Sequence, residues 1–183
     1  LWEKAPVGAP GEGQALVRNT AVGLNFIDTY QRSGLYPVPL PFTPGSEGAG
    51  VVEAVGPKVK DVKVGDRVVY CGPIGAYAEA MLRPADRLVK ISAGIDDRTA
   101  AAMMLKGLTA WYLLRRTYRV KKGDTILVHA AAGGVGLILC QWAKALGAAV
   151  IGAVGGDEKA APAKKAVGTH VLVNGRYAPY LRV

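Results

Sequence analysis

The chain is poor in the residues that hold metals and disulfides. It has two cysteines and two histidines in 183 residues. That excludes a disulfide scaffold and a four-cysteine zinc lobe. Cys71 and Cys140 lie far apart, in segments of different kinds. Counting leaves a bridge between them open, but two reduced thiols in a cytoplasmic protein is the reading composition favours. Long apolar runs are also missing. None reaches the length of a membrane span, and the longest helical candidates carry Lys or Arg. The opening "LWEKAPVGAP" lacks the charged start and apolar block of a secretory signal. It lacks an initiating Met as well, from which a true N-terminus outside this numbering is expected. Acidic residues are outnumbered, 14 against 23 Lys and Arg, for a net charge of +9. Yet the positive residues are scattered. Small groups stand at Lys58, Lys60 and Lys63, and at Arg115, Arg116, Arg119, Lys121 and Lys122. No block of about five like charges forms. Scattered charge suits a phosphorylated cofactor or solubility as well as nucleic acid, and nucleic acid takes the smallest share of the reading.

What is present is a globular composition, 50% hydrophobic and 20% charged. It is enough for one large domain or parts of two. Up to about Ser92 the chain reads as short strands broken by Gly and Pro: "QALVRNTAVGL", "GAGVVEAVG", "DRVVYCG", "AYAEAMLR" and "DRLVKI". Such a series predicts a small barrel or sandwich. "LYPVPLPFTPG" has four prolines and predicts a rigid, extended loop. From Asp97 to Tyr118 an Ala- and Leu-rich helix is expected after an acidic pair, with Gly107 marking a break.

The pattern then becomes strand, helix, strand, helix, strand. "TILVHA" reads as a buried parallel strand. "GVGLILCQWAKALG" reads as a helix capped by Gly147. "AAVIGAV", "DEKAAPAKKAVG" and "THVLV" follow as strand, helix and strand. This is the first half of a dinucleotide-binding α/β unit. A complete doubly wound sheet needs about three more strands, and "NGRYAPYLRV" does not supply them. Either the chain is a fragment or further segments lie outside the sequence.

The turn between strand and helix carries the chemistry. A helix N-terminus gathers unpaired N–H groups, and small residues let phosphate reach them. Ala131, Gly133 and Gly136 take the three spaced positions of the dinucleotide fingerprint, with Gly134 and Val135 among them. Ala in the first place breaks the strict motif, so context carries the reading. After the second strand, Val154, Gly155 and Gly156 offer no acid for a ribose 2′-hydroxyl. Asp157 and Glu158 come later, where they suit a helix start. Lys159 could meet a 2′-phosphate, though an exposed lysine is the commoner fate. The missing acid favours NADP over NAD.

"PGSEGAGVVEAVG", "VGDRVVY" and "AAGGVG", in this order, resemble the medium-chain dehydrogenase/reductase superfamily. The implied fold is α/β: a GroES-like β-barrel-type domain over residues 1–97, then a connecting helix and the first half of a Rossmann domain over 98–183. "GLNFIDTYQRSGLYP", "MMLKGLTAWYLLRRTY" and "HAAAGGVGLILCQWAKALGA" are similar to its zinc-free NADPH:quinone oxidoreductase branch, the zeta-crystallin-like proteins. Zinc-using relatives have Cys near Asn25, His-Glu where Ser46-Glu47 stands, and Cys at Lys106. Those replacements are poor zinc ligands, so no metal is expected.

The resemblance implies hydride or electron transfer from NADPH to a quinone. It places Asn25, Asp28, Tyr30, Tyr36 and Lys106 where the chemistry occurs. Asn25 and Thr109 would bind the cofactor, together with Ala131, Gly133, Gly134, Val135, Gly136, Gly155 and Lys159. Tyr30 and Tyr36 could equally be packing residues. Asp28 could be a helix cap or pair with Arg32 one turn on. Lys106 sits in an apolar helix, where its charge needs a partner or the active-site cleft. His129 and His170 read as structural. Two alternatives stay open. One is an NADPH-dependent reductase of activated alkenes such as enones. The other is a non-catalytic NADPH- or RNA-binding protein, although no stacking motif for RNA is visible. The resemblance further implies a cytoplasmic homodimer with no membrane association.

Overall fold

Alternating small and branched residues make "QALVRNTAVG" a strand with two different faces. In the computed structural model, which describes residues 3–167 and 170–173, it is an interior strand of a five-stranded sheet. The strands are β1 (Gln14–Gly23), β2 (Glu47–Val55), β3 (Arg67–Cys71), β4 (Ala80–Pro84) and β5 (Val89–Lys90). Their order is β4-β1-β2-β3-β5, and every pair is antiparallel. One core holds Ala15, Val17, Val52, Val68 and Tyr70. A second holds Ala49 and Val69 against Ala100 and Ala101 of the first long helix. The chain divides into two units between Leu105 and Lys106.

The β-rich reading of the first unit holds, with two strands shorter than expected. Residues 75–77 turn aside to the proline-rich loop. Gly75 N–H and Ala76 N–H donate to Gly45 O at 2.8 and 3.0 Å, and Tyr77 N–H donates to Pro44 O at 2.9 Å. Asn19 fixes that detour from β1, its Nδ2 donating to Ala76 O at 3.1 Å and Ala78 O at 2.8 Å. Contact with β1 begins where Glu79 O accepts Asn19 N–H at 2.8 Å, and the paired strand runs from Ala80. Likewise Ala85–Arg87 form a single 3₁₀ turn before β5.

The first helix, α1 (Phe26–Ser33), lies where the cap and one-turn spacing at Asp28 implied one. The next, α2 (Asp97–Tyr112), starts where the acidic pair predicts. The Asp96 carboxylate accepts Thr99 N–H at 2.9 Å and Thr99 Oγ1–H at 2.7 Å. Asp97 accepts Thr20 Oγ1–H at 2.7 Å and binds the Arg67 guanidinium, and these bonds hold its carboxyl below the usual range. Gly107 does not break α2, because one glycine costs a helix only about 1 kcal/mol. The irregularity comes later, as a π-helical turn at Leu113–Thr117, where Tyr118 N–H donates to Leu113 O at 3.2 Å.

The second unit is a parallel sheet in the order β6-β7-β8, from Thr125–Val128, Ala149–Val154 and His170–Val173. Helices α3 (Gly134–Ala145) and α4 (Ala160–Val167) form the crossovers. Right-handed connections between sequential parallel strands put both on one face. There Val128, Cys140, Ala143, Val150, Val154 and Ala163 make the core. This is the half Rossmann unit the pattern predicts. β6 departs in one respect. It was expected to be buried on both faces, but Leu127 is 54% exposed, because it points away from α3 and α4. It also ends at Val128, since Ala130 takes φ +50° and turns the chain out of the sheet. Cys71 and Cys140 are not joined by a disulfide. Among the described residues no helix is long and apolar enough to cross a membrane. "NGRYAPYLRV" lies outside the described residues.

Candidate functional site

Four of the expected residues, Asn25, Asp28, Tyr30 and Tyr36, come together on α1 and the segments flanking it. Asn25 is its N-cap, with extended backbone at φ −130° and ψ 153°. Its main-chain N–H donates to Asp28 Oδ2 at 2.9 Å, the reciprocal half of a capping box. Gly34 closes the helix at φ +79°. Asp28 therefore points inward, 3% exposed. It accepts the Tyr77 hydroxyl at 2.7 Å and Ser46 Oγ–H at 3.4 Å. The pair with Arg32, the alternative to a capping role, is not among the ion pairs of the described residues. Burial, then the Asp28 hydrogen bond and the negative charge of Asp28 and Glu47, raises the Tyr77 pKa and keeps that hydroxyl protonated.

The aromatic side of α1 faces out. Phe26 meets Tyr30 edge to face at 5.4 Å between centroids, and Tyr30 meets Tyr36 at 5.3 Å. Tyr36 is 50% and Phe26 76% exposed. Neither is packed into the core, so the rings are open to a planar ligand.

The structure adds Glu47, which sequence reasoning matched only to a zinc-site position. It is fully buried at the start of β2. Oε1 accepts Asn25 Nδ2–H at 2.8 Å, and Oε2 accepts the main-chain N–H of Leu105 at 2.6 Å. The available signal was an acid opening an apolar strand, which must find donors if buried.

In the second unit the strand–turn–helix is built by close approach. Ala131 N–H donates to Ala153 O at 3.0 Å and anchors the turn to β7. Gly133 N–H donates to Ala130 O at 2.8 Å and makes Gly133 the N-cap of α3. A Cβ on Gly136 would overlap the Ala130 carbonyl oxygen and stand 2.8 Å from Ala131 Cα. A Cβ on Gly133 would meet only Ala130, with its oxygen 3.1 Å away. Gly133 and Gly134 are exposed, and the first turn of α3 carries no acid. The Lys106 side chain lies across Gly134, its Cδ and Cε 2.9 and 3.0 Å from where a Cβ would stand. Thr109 is three residues on, along the same face of α2. Val135 is half-buried, and His129 stands exposed in the turn.

After β7, Gly155 is exposed with nothing within 4 Å of its Cβ position. The Glu158 carboxylate folds back against Gly156, and Lys159 is exposed at the end of the following 3₁₀ turn. An open glycine surface at the N-terminus of a 12-residue helix fits a pyrophosphate.

Comparison with known proteins agrees with this geometry. Residues 11–93 match the alcohol dehydrogenase GroES-like domain. A quinone oxidoreductase of Pseudomonas aeruginosa is 61% identical over 158 residues, which are 85% of this chain and 49% of that protein. A 2-haloacrylate reductase of a Burkholderia species is 50% identical, over 95% of this chain and 54% of that protein. The crystal structure of Escherichia coli quinone oxidoreductase complexed with NADPH superposes with a TM-score of 0.90 at 52% identity, covering 96% of this chain and 54% of that one. The chain spans about half the length of the curated relatives it matches. With a GroES-like unit, a half Rossmann unit and these identities, the chain belongs to the quinone oxidoreductase branch of the medium-chain dehydrogenase/reductase superfamily.

Proposed function

We propose that this chain belongs to an NADPH-dependent quinone reductase that works without zinc. The observation that carries the reading is the turn before α3, closed tightly at Gly136 and open at Gly133. NADPH supplies the hydride. Ala131, Gly133, Gly134, Val135 and Gly136 hold its pyrophosphate against the first N–H groups of α3, and Lys106 adds positive charge beside Gly134. Gly155 leaves room beyond β7, and Lys159 meets the 2′-phosphate. Asn25 and Thr109 hydrogen-bond the nicotinamide side. Tyr30 and Tyr36 offer ring faces to a quinone, while Asp28 holds the helix that carries them. A quinone needs little acid help, because its reduced oxygens are readily protonated. Zinc independence is supported by donor chemistry, since Asn25, Ser46 and Lys106 offer an amide, a hydroxyl and an ammonium. Among the described residues no three His, Cys, Asp or Glu side chains cluster as metal ligands. By the same family likeness, the protein acts as a cytoplasmic homodimer.

The 50% identity to a 2-haloacrylate reductase favours a second reading, reduction of an activated alkene. One steady-state experiment on the full-length protein separates the two. NADPH and NADH are each offered with a quinone panel and with an enone and haloacrylate panel, with and without chelator. The expected result is quinone-dependent oxidation, preferring NADPH at least tenfold, about 1.4 kcal/mol, and indifferent to chelator. Equal use of NADH removes the 2′-phosphate assignment. Turnover restricted to alkenes selects the second reading, and loss of activity with stoichiometric zinc overturns the metal-free one.

A further inference from the structure

We infer that Glu47 is a positioning residue, whose carboxylate sets the amide of Asn25 and ties it to α2. This rests on the reading of Asn25 as a cofactor contact. Glu47 is among the largest fully buried side chains of the molecule. A buried carboxylate is tolerated only when donors serve its oxygens. Here the two oxygens serve different elements: Oε1 takes Asn25 Nδ2–H at 2.8 Å, and Oε2 takes Leu105 N–H at 2.6 Å. β1 makes room for the arrangement by ending in glycine. A Cβ on Gly23 would overlap both the Glu47 carboxylate and the Ala101 carbonyl oxygen of α2. The end of β1, the cap of α1 and the middle of α2 therefore meet at one side chain.

The chemistry of that side chain decides how Asn25 stands. Both Glu47 oxygens accept N–H donors, so Asn25 turns its NH₂ toward Glu47 and its Oδ1 away. A glutamine in the same place could satisfy either orientation. The main-chain N–H of Asn25 is meanwhile held by Asp28 at 2.9 Å. Two carboxylates thus fix one residue, Asp28 through its backbone and Glu47 through its amide. Asn25 is consequently held in one orientation, its side chain also engaged by the Asp28 main-chain N–H of the capping box, as hydride-transfer geometry demands.

Two measurements test this on the full-length protein. The first needs no cofactor: side-chain NH₂ exchange of Asn25, followed by ¹⁵N NMR on the unmutated protein and on Glu47→Gln. The parent NH₂ is expected to be protected, and the variant to exchange at least about tenfold faster. Exchange at the rate of an exposed amide in the parent overturns the inference, whether or not the variant folds. The second is a double-mutant cycle with Asn25→Ala, reading NADPH affinity and quinone turnover separately. Glu47→Gln and Asn25→Ala should each lower kcat about tenfold, with cofactor affinity changed less than about threefold. The double variant should be no worse than the more damaged single. Multiplying losses would mean that Glu47 acts independently of Asn25, and parent-like turnover in Glu47→Gln would mean that it sets nothing. A parent inactive with every quinone and alkene defeats the proposed function instead, and NH₂ exchange still decides this one.

Discussion

Gly136→Val destabilises the nucleotide-binding turn severely, while Gly133→Val leaves it folded but binding NADPH far more weakly. The two glycines are three residues apart, and their surroundings are opposite. At Gly136 even a methyl group overlaps the Ala130 carbonyl, a backbone atom that cannot swing aside. Overpacking of this kind costs about 3 kcal/mol or more, since α3 must lift from β6. At Gly133 the backbone is extended, φ −79° and ψ 168°, which valine adopts without strain. The added Cβ needs only a slight shift from Ala130 O at 3.1 Å. Its methyl groups then occupy the space in front of the α3 N–H groups. The expected loss is on the order of 2 kcal/mol in NADPH binding, about thirtyfold in Kd. A melting curve and a cofactor titration on each variant decide the matter. If Gly133→Val binds NADPH like the parent, the phosphates lie elsewhere and the proposed function loses its main support.

Asp28→Ala is the second large effect, and it falls on the first unit. Removing this carboxylate leaves the Tyr77 hydroxyl and the Asn25 N–H without the acceptor they use at 2.7 and 2.9 Å. Each abandoned buried donor costs about 1–3 kcal/mol, so about 3 kcal/mol in total is expected. For a unit of this size that lowers Tm by about 12 °C or more. Asp28→Asn, which keeps one acceptor oxygen, should lose about half as much. Arg32→Ala should change stability by less than about 0.5 kcal/mol, because Arg32 is exposed and Asp28 is turned from it. Equal damage from Asp28→Ala and Arg32→Ala would restore the one-turn ion pair in place of the buried network.

These contrasts show which parts of the molecule a linear reading can reach. The turn around Gly133 was legible because strand, bare turn and helix are consecutive, and each carries its own period or cap. The start of α2 was legible for the same reason, since Asp96 caps Thr99 three residues away. α1, eight residues long and set among strands, is signalled only weakly, through the cap and one-turn spacing at Asp28. Its signals were nonetheless local: Asn25 and Asp28 spaced as a capping box, and Gly34 as a terminator. Glu47 could not be read locally. Its donors are 22 and 58 residues away, and only the folded sheet brings them to one carboxylate. Lys106 is similar. Sequence placed it in an apolar helix in need of a polar outlet, but only tertiary packing shows its stem across Gly134. β4 was drawn too long because the backbone of residues 75–77 is claimed by Pro44 and Gly45, a competition no period reveals.

The strand order β4-β1-β2-β3-β5 has a consequence for how the chain is made. β1 emerges from the ribosome before the other strands of its sheet, yet one of its edges is closed only by β4, the fourth of them to appear. At about 5–20 residues per second, a finished β1–β2 pair waits several seconds with that edge exposed. Open edges are templates for pairing with another chain. During that interval neighbouring nascent chains on one message compete with β4 for the same N–H and C=O groups. Chains stalled with Ala80–Pro84 still in the tunnel should remain protease-sensitive along β1, and those stalled after Lys90 has emerged should not. Synthesis speed across the proline-rich loop and β3 therefore governs how much of the protein reaches its own sheet rather than a neighbour's.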